Sequence, residues 1–460
     1  MTDIAGQLRG ALGNDAVLTG EDVQGRSAGI WGPERHLEAD LLVRPRDTEQ
    51  VSRVLKICNH SGQPVVIHGG LTGVVDGAHA NPGDLVLSLE RMTGVEEMDP
   101  IGATMTVQAG APLQVVQEQA AEHGLMFPLD LGARGTATIG GNAATNAGGN
   151  RVIRYGMVRS MILGLEAVLA DGTVVSSMNR MLKNNAGYDL KHLFIGTEGT
   201  LGVVTRLVLR LVQAPSSQDT ALIAMRDFGQ VTNFLRFMDA ALGGTLSAYE
   251  VLWRDFYTLV TSQLNDRQAP LEPNYPYFVL VESLGSDQQR DSERFQKALA
   301  EAFEKQLVAD AVVAKSQAER DAIWAIRDDV VRLLELKPIF LFDVSLPINA
   351  VEAYVQGVRD ELTELWPEQR LFVFGHLGDG NIHLAISAGA ENGQARSAVE
   401  RIVYQPLMQL AGSVSGEHGI GLEKKPYLSW CRSEAEIALM KALKESLDPK
   451  GILNPGKIFD

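Results

Sequence analysis

At 460 residues the chain exceeds what one ordinary core supports, and its length predicts two or three domains. Its apolar and charged fractions, 45% and 21%, are those of a globular protein, and no run approaches the ~18–20 apolar residues that a membrane helix needs. A net charge of −16, with no Lys/Arg cluster, excludes nucleic acid as a partner but not small anions held by a few placed cations or a metal. The start Met1-Thr2-Asp3-Ile4 lacks the basic and apolar regions of a secretory signal. Cys58 and Cys431, far apart in the chain, predict reduced thiols in a cytoplasmic protein, with one disulfide left open.

Residues 1–40 read as a short helical lead-in that Gly32 and Pro33 cut off. Leu41-Leu42-Val43 reads as a strand. Asp47-Thr48 then caps a helix whose apolar face is Val51, Val54, Leu55 and Cys58, Gly62 ends it, and Val65-Val66-Ile67 returns as a strand. Pro112 suits the first turn of a second helix, which Gly124 stops. Asp171-Gly172, between Val168-Leu169-Ala170 and Val174-Val175, signals a hairpin. Residues 216–370 change texture, with longer helical stretches, fewer glycines and a charged run from Ser286 to Lys305. Glycine and histidine cluster again from Leu371 to Gly421, before a helix ending near Leu447 and the tail Asn454-Pro455-Gly456-Lys457.

Two glycine-rich loops stand out. Gly69-Gly70-Leu71-Thr72-Gly73 follows a strand directly, and the run from Gly140 to Gly149 is built of tiny residues and amides. Successive free N–H groups form an anion-binding concavity, and glycine lets a ligand approach the backbone closely. Two such loops in one half of the chain predict a cofactor carrying a diphosphate, ordinary tight turns being the plainer reading of either alone. Neither loop fits the Rossmann or P-loop spacing.

The sharpest pattern is Gly375-His376-Leu377-Gly378-Asp379-Gly380-Asn381-Ile382-His383, flanked by Leu371-Phe372-Val373-Phe374 and Leu384-Ala385-Ile386. Reversal at Gly378-Asp379-Gly380-Asn381 sets His376 opposite His383, with Cβ atoms about 4.5–5.5 Å apart, close enough to share one ion. Asp379 at the tip serves the turn rather than the metal. Ser415-Gly416-Glu417-His418-Gly419-Ile420-Gly421 sets a carboxylate and an imidazole side by side, pointing to opposite sides of an extended stretch and free to play different parts. Two surface histidines on a hairpin and a solvated Glu-His pair are the plainer alternatives.

Pro128-Leu129-Asp130-Leu131-Gly132-Ala133, the run from Ile139 to Gly149, Arg154-Tyr155-Gly156 and Gly199-Thr200-Leu201-Gly202 resemble the FAD domain of the vanillyl-alcohol oxidase/p-cresol methylhydroxylase superfamily, within it the D-lactate and D-2-hydroxyglutarate dehydrogenase branch. The resemblance covers nearly the whole chain. It implies an α+β fold with an FAD-binding domain (1–213), a substrate and metal domain (214–420) and a C-terminal segment (421–460) closing on the FAD domain. It further implies that Gly69, Gly70, Leu71, Thr72, Gly73, Gly140, Gly141, Asn142, Thr145 and Asn146 hold the pyrophosphate. Asp130, Gly202 and Val203 would then lie along the cofactor, with Asn454 reaching the flavin end. Leu71 stands where some relatives carry a flavin-linking histidine, so FAD is expected to be non-covalent; His68 is out of register and is read as packing.

By the same resemblance His376, His383 and Glu417 are metal ligands and His418 is the catalytic base. Two histidines and a carboxylate suit zinc, with iron and manganese accepting similar sets; a reaction that needs no metal redox change favours zinc. The implied reaction oxidises a D-2-hydroxy acid to the 2-keto acid, His418 taking the hydroxyl proton as a hydride leaves C2 for the flavin. Arg327 matches an arginine that binds a substrate carboxylate, although an ion-pair arginine on the surface is the plainer reading of that residue alone. Three companions depart from the glutarate pattern: Val331, Leu341 and Ala385 stand where it has threonine, lysine and asparagine, with Lys337 a nearby compensating cation. Apolar groups there leave a distal carboxylate poorly paired, which favours a monocarboxylic acid with an apolar side chain over D-2-hydroxyglutarate. An oxygen-using oxidase, a zinc hydrolase and a non-catalytic flavoprotein subunit are the rival readings. The electron acceptor is read as external (an electron-transfer flavoprotein, a quinone or a cytochrome), and the oligomeric state is left open, a homodimer included.

Overall fold

The structure, a computed structural model, describes residues 3–29, 35–263, 269–390 and 392–460, so Gly32 and Pro33 lie outside the described residues. The chain forms two compact units: Met1–Gly148 with Gly156–Ala214 and Glu417–Asp460, and Gly149–Tyr155 with Pro215–Gly416.

In the first unit, β1 (Val17–Thr19), β2 (Leu41–Val43), β3 (Val65–His68) and β4 (Leu85–Ser88) form a sheet of order β1-β2-β4-β3. Strands β2 and β3 run parallel to β4, and β1 pairs antiparallel with β2. The helix Thr48–Ser61 makes the crossover between β2 and β3. Asp47 caps its start by accepting from the Gln50 N–H, Gly62 closes it at φ 71°, and Val51, Val54, Leu55 and Cys58 are buried. The lead-in is not helical alone: after the helix Ile4–Leu12 it supplies β1, a three-residue strand too short to leave a periodic signal.

A second sheet of this unit contains β5 (Val95–Asp99), β6 (Thr104–Gln108), β8 (Ile162–Val168), β9 (Val174–Ser177) and β10 (Val203–Arg210), all antiparallel, in the order β5-β6-β10-β8-β9. The short strands β7 (Leu125–Met126) and β11 (Val212–Gln213) pair separately. Pro112 is the N-cap of the helix Leu113–Ala121, one position before the expected first turn. The hairpin of β8 and β9 closes through Leu169–Thr173, with Gly172 at φ 83°. After the helix Glu434–Leu447 the tail returns to the edge of β3, where the Val65 N–H donates to Ile452 and the Asn454 N–H donates to Val65. Both cysteines are free, and burial pushes the Cys58 thiol up to about 12.

The second unit is built on seven antiparallel strands: β12 (Ser217–Met225), β13 (Leu246–Trp253), β14 (Tyr277–Gly285), β15 (Asp310–Val313), β16 (Phe340–Ser345), β17 (Arg370–His376) and β18 (Asn381–Ser387). Their order is β15-β12-β14-β13-β17-β18-β16. Every residue of β13 and β14 is buried, so both faces of the sheet centre are covered, and polar residues there need partners inside the protein. One apolar cluster on this sheet gathers Phe256, Phe278, Phe372, Phe374 and Ala385 with Ile323 and Ile326 of the helix Gln317–Asp328. No helix among the described residues is long and apolar enough to cross a membrane.

Candidate active site

Strands β17 and β18 form the histidine hairpin, in a register two residues from the expected one. Phe374, not His376, lies opposite His383. The turn occupies Leu377–Gly380, with Gly380 at φ 82°, so its centre falls one residue earlier than expected and the register moves by two. A two-residue slip keeps every side chain on its own face, so the histidines are diagonal neighbours with ring centroids 5.3 Å apart. Asp379 does serve the turn, accepting from the Asn381 N–H at 3.1 Å. Glu417 completes the group: one ligand atom from each of His376, His383 and Glu417 lies within 4.8 Å of the others. Two imidazoles and a carboxylate at that spacing fit a divalent transition metal.

The hairpin is held by carboxylates that the sequence reading passed over. Glu250, fully buried on β13, is the register partner of His376 and accepts from its Nδ1 at 2.8 Å. The other oxygen of Glu250 accepts from Arg327 Nε at 2.8 Å. Burial alone would raise the Glu250 carboxyl; its contacts with His376 and with the Arg327 guanidinium outweigh it and hold the group at about 2. Arg327 is therefore no surface arginine. It is buried, donates from Nη2 to His376 Nε2 at 3.0 Å, and lies 5.6 Å from the centroid of the Phe374 ring. Asp343, fully buried on β16, accepts from Asn381 Nδ2 at 2.6 Å and from the Gly416 N–H at 3.1 Å. Ser345 and Ser413 exchange backbone hydrogen bonds, so the segment leading into Glu417 is fastened to β16. Of the three apolar substitutes, Ala385 is fully buried opposite Leu341 and Phe372, whereas Val331 and Leu341 are exposed.

In the first unit the two glycine-rich loops meet. A Cβ on Gly70 would lie 2.0 Å from the Thr136 carbonyl oxygen, and one on Gly69 would lie 2.7 Å from Thr138 Oγ1. Thr138 in turn caps the helix Ile139–Thr145 by accepting from the Gly141 N–H. Gly140 packs as tightly on Ala109, and Leu71 adopts φ 55°. Asn142 is buried, and its Nδ2 has no hydrogen-bond partner among the described residues, a donor that a ligand oxygen would satisfy. A cavity lined by Arg26, Ser27, His68, Gly69, Leu71 and Glu90 opens beside the first loop. These features fit a diphosphate-bearing cofactor. His68 is a packed residue, buried with Nε2 2.8 Å from the Ala78 carbonyl oxygen.

Other expected cofactor residues are placed by their own bonds. Thr145 Oγ1 donates to the Gly141 carbonyl, Asn146 Oδ1 accepts from the Arg159 N–H, and Asp130 lies 3.9 Å from Arg134. Gly202 abuts Phe194, Val203 begins β10, and Gly73 has room for a side chain. The Asn454 amide accepts from the Ile67 N–H and donates to the Glu198 carbonyl, clamping the tail to β3 and to the Glu198 turn. Glu198, at φ 52°, accepts from the Ile420 and Gly421 N–H groups at 2.7 and 2.8 Å, which fixes the backbone just after His418. Burial raises its carboxyl above the usual range. The signal for Glu198 was its place in Gly196-Thr197-Glu198-Gly199; Glu250 had none, since a single acid in an apolar run reads as an exposed strand position.

Comparison with known proteins gives the family and the fold. Residues 39–177 match the FAD binding domain family and residues 214–458 the FAD linked oxidases, C-terminal domain. A mitochondrial D-2-hydroxyglutarate dehydrogenase of Danio rerio is 36% identical over 96% of this chain and 82% of its own. A D-2-hydroxyglutarate dehydrogenase of Xanthomonas citri is 38% identical over 91% of this chain and 89% of its own. The solved structure of p-cresol methylhydroxylase with substrate bound superposes with a TM-score of 0.77 at 15% identity, covering 99% of this chain and 96% of that one, a likeness of fold.

Proposed function

The chain belongs to the FAD-linked oxidases, and from that premise we propose that it is a metal-dependent FAD dehydrogenase converting a D-2-hydroxy acid to its 2-keto acid. The observation that carries the reading is the His376, His383 and Glu417 group, with donor atoms within 4.8 Å and His418 next in the chain. The loops at Gly69 to Gly73 and Gly140 to Asn146 would hold FAD, which when bound supplies the two-electron acceptor for a hydride from C2. His376, His383 and Glu417 would hold a divalent ion, zinc by donor set, which when bound polarises the substrate hydroxyl. His418 accepts the hydroxyl proton, and Arg327 offers its guanidinium to a substrate carboxylate. The electron pair then leaves for an external acceptor, an electron-transfer flavoprotein, a quinone or a cytochrome, and a homodimer is the proposed assembly. Two free thiols suit a reducing compartment, here taken as the cytoplasm.

Val331, Leu341 and Ala385 support a monocarboxylic substrate with an apolar side chain, because none of them can pair a second carboxylate. The names of the relatives support a second reading, D-2-hydroxyglutarate. Anaerobic bleaching of the flavin by separate D- and L-acids, before and after chelation, tests both. The expected result is bleaching by D-acids alone, lost on chelation and restored by zinc, with the best acid choosing between the readings. A yellow protein indifferent to every 2-hydroxy acid would overturn the proposal.

A further inference from the structure

We propose that Glu250 is a positioning residue that holds His376 and Arg327 in one frame, so that metal binding and substrate-carboxylate binding depend on a single buried carboxylate. The inference rests on the metal reading above. Glu250 sits in a strand buried along its whole length, where an unpaired carboxylate would be costly. Its two oxygens have different partners at the same distance: Oε1 takes the His376 Nδ1 proton at 2.8 Å, and Oε2 takes the Arg327 Nε proton at 2.8 Å. The His376 contact follows from the ladder, since the two residues are register partners across β13 and β17.

The first contact fixes the tautomer. With the proton on Nδ1 facing a carboxylate, Nε2 carries the lone pair and is the atom left for a metal ion. The second contact fixes the arginine, whose Nη2 donates to that same Nε2 at 3.0 Å. One lone pair cannot serve a guanidinium donor and a metal ion together. Metal loading therefore releases Nη2 from His376, while the Nε bond to Glu250 keeps the guanidinium beside the ion, where the carboxylate of a 2-hydroxy acid is to be held. Glu250 thus orders the two events: the metal displaces the arginine donor, and the freed donor meets the substrate.

The test compares zinc affinity of the FAD-loaded wild type, Glu250→Gln and Glu282→Gln by competition with a chromophoric chelator. Glu282 is the matched control. It is fully buried on β14, next to β13, but its bonds go to Gln218, Thr220, Ser247, Trp324 and Arg151. Glu250→Gln should weaken zinc about 10–100-fold, the usual effect of removing an outer-shell carboxylate, and Glu282→Gln should leave it nearly unchanged. Equal losses in both variants, or none in Glu250→Gln, would overturn the proposal. Failure of the wild type to bind zinc would instead overturn the metal reading. A second measurement needs no variant: imidazole nitrogen NMR of the zinc-loaded wild type should show His376 ligated through Nε2 with its proton on Nδ1. Ligation through Nδ1 would refute the role of Glu250 while leaving the metal site standing.

Discussion

His68 makes the stability of the first unit sensitive to acid in a way that can be worked through. The ring is buried at the end of β3, and its Nε2 proton goes to the Ala78 carbonyl at 2.8 Å. Burial pushes its pKa from the usual 6.5 down to about 4, the hydrogen bond to Ala78 offsetting only part of the cost of a charge there. Between those values the unfolded chain binds a proton that the native chain refuses. Stability is therefore intact above pH 6.5 and is lost as pH falls towards 4, by about 3 kcal/mol at ~1.4 kcal/mol per pH unit. Many carboxylates titrate in the same range, so the group is isolated by difference. Gln at position 68 removes the titrating ring but keeps an N–H donor for Ala78. Urea unfolding of FAD-loaded wild type and His68→Gln, at about pH 7 and pH 4.5, should show the wild type losing roughly 2 kcal/mol more than the variant. Parallel losses would mean that His68 takes up its proton in the folded protein, and the burial argument would fail.

Three further outcomes follow from the site. Gly70→Ala should release FAD at least ~10-fold more readily, because the new Cβ meets the Thr136 backbone 2.0 Å away and no side chain can move aside; unchanged retention on gel filtration would remove the loop contact from the cofactor site. His418→Asn should abolish flavin reduction by a D-acid while FAD and metal contents stay at wild-type levels, and normal reduction would sink its role as base. Leu341→Lys, at an exposed position, should leave the melting temperature unchanged and raise kcat/KM for D-2-hydroxyglutarate by ~10-fold or more, as expected where a distal carboxylate gains a cation. No gain would show that the distal group is not read at this strand.

Local signals in the sequence were strong wherever a feature depended on neighbours along the chain. The helix Thr48–Ser61 carries its cap, its apolar stripe and its stop glycine in one window, and all three are where the pattern put them. The histidine hairpin was legible for the same reason, since two strands and a glycine turn lie within eighteen residues of sequence, Arg370 to Ser387. Its register was not, because Leu377–Gly380 and Gly378–Asn381 are both plausible turns on composition, and the choice is made by backbone packing. A Cβ on Gly375 would lie 2.6 Å from the Asn381 carbonyl oxygen, a proximity that only the folded hairpin displays. Strand β1 escaped because three residues give no period, and it is a strand only by virtue of β2 beside it.

The carboxylates around the site were illegible for a deeper reason, and they share one logic. Glu198 receives the N–H groups of Ile420 and Gly421, Glu250 receives His376 and Arg327, and Asp343 receives Asn381 and the Gly416 N–H. In each case the acid and its partners are separated by dozens to hundreds of residues, so no motif can contain them both. Glu250 and Asp343 are also fully buried and Glu198 is half-buried, so desolvation works against each carboxylate unless those partners arrive. The catalytic role proposed for the Glu417-His418 segment needs side chains fixed to a fraction of an ångström, and glycine-framed stretches such as Gly416–Gly421 cannot fix themselves. The rigidity is supplied from outside: an acid on a regular strand or a tight turn takes the backbone N–H groups or the rear nitrogen of the working residue. The glycines make the site visible in the sequence, and the distant acids make it stiff enough to work.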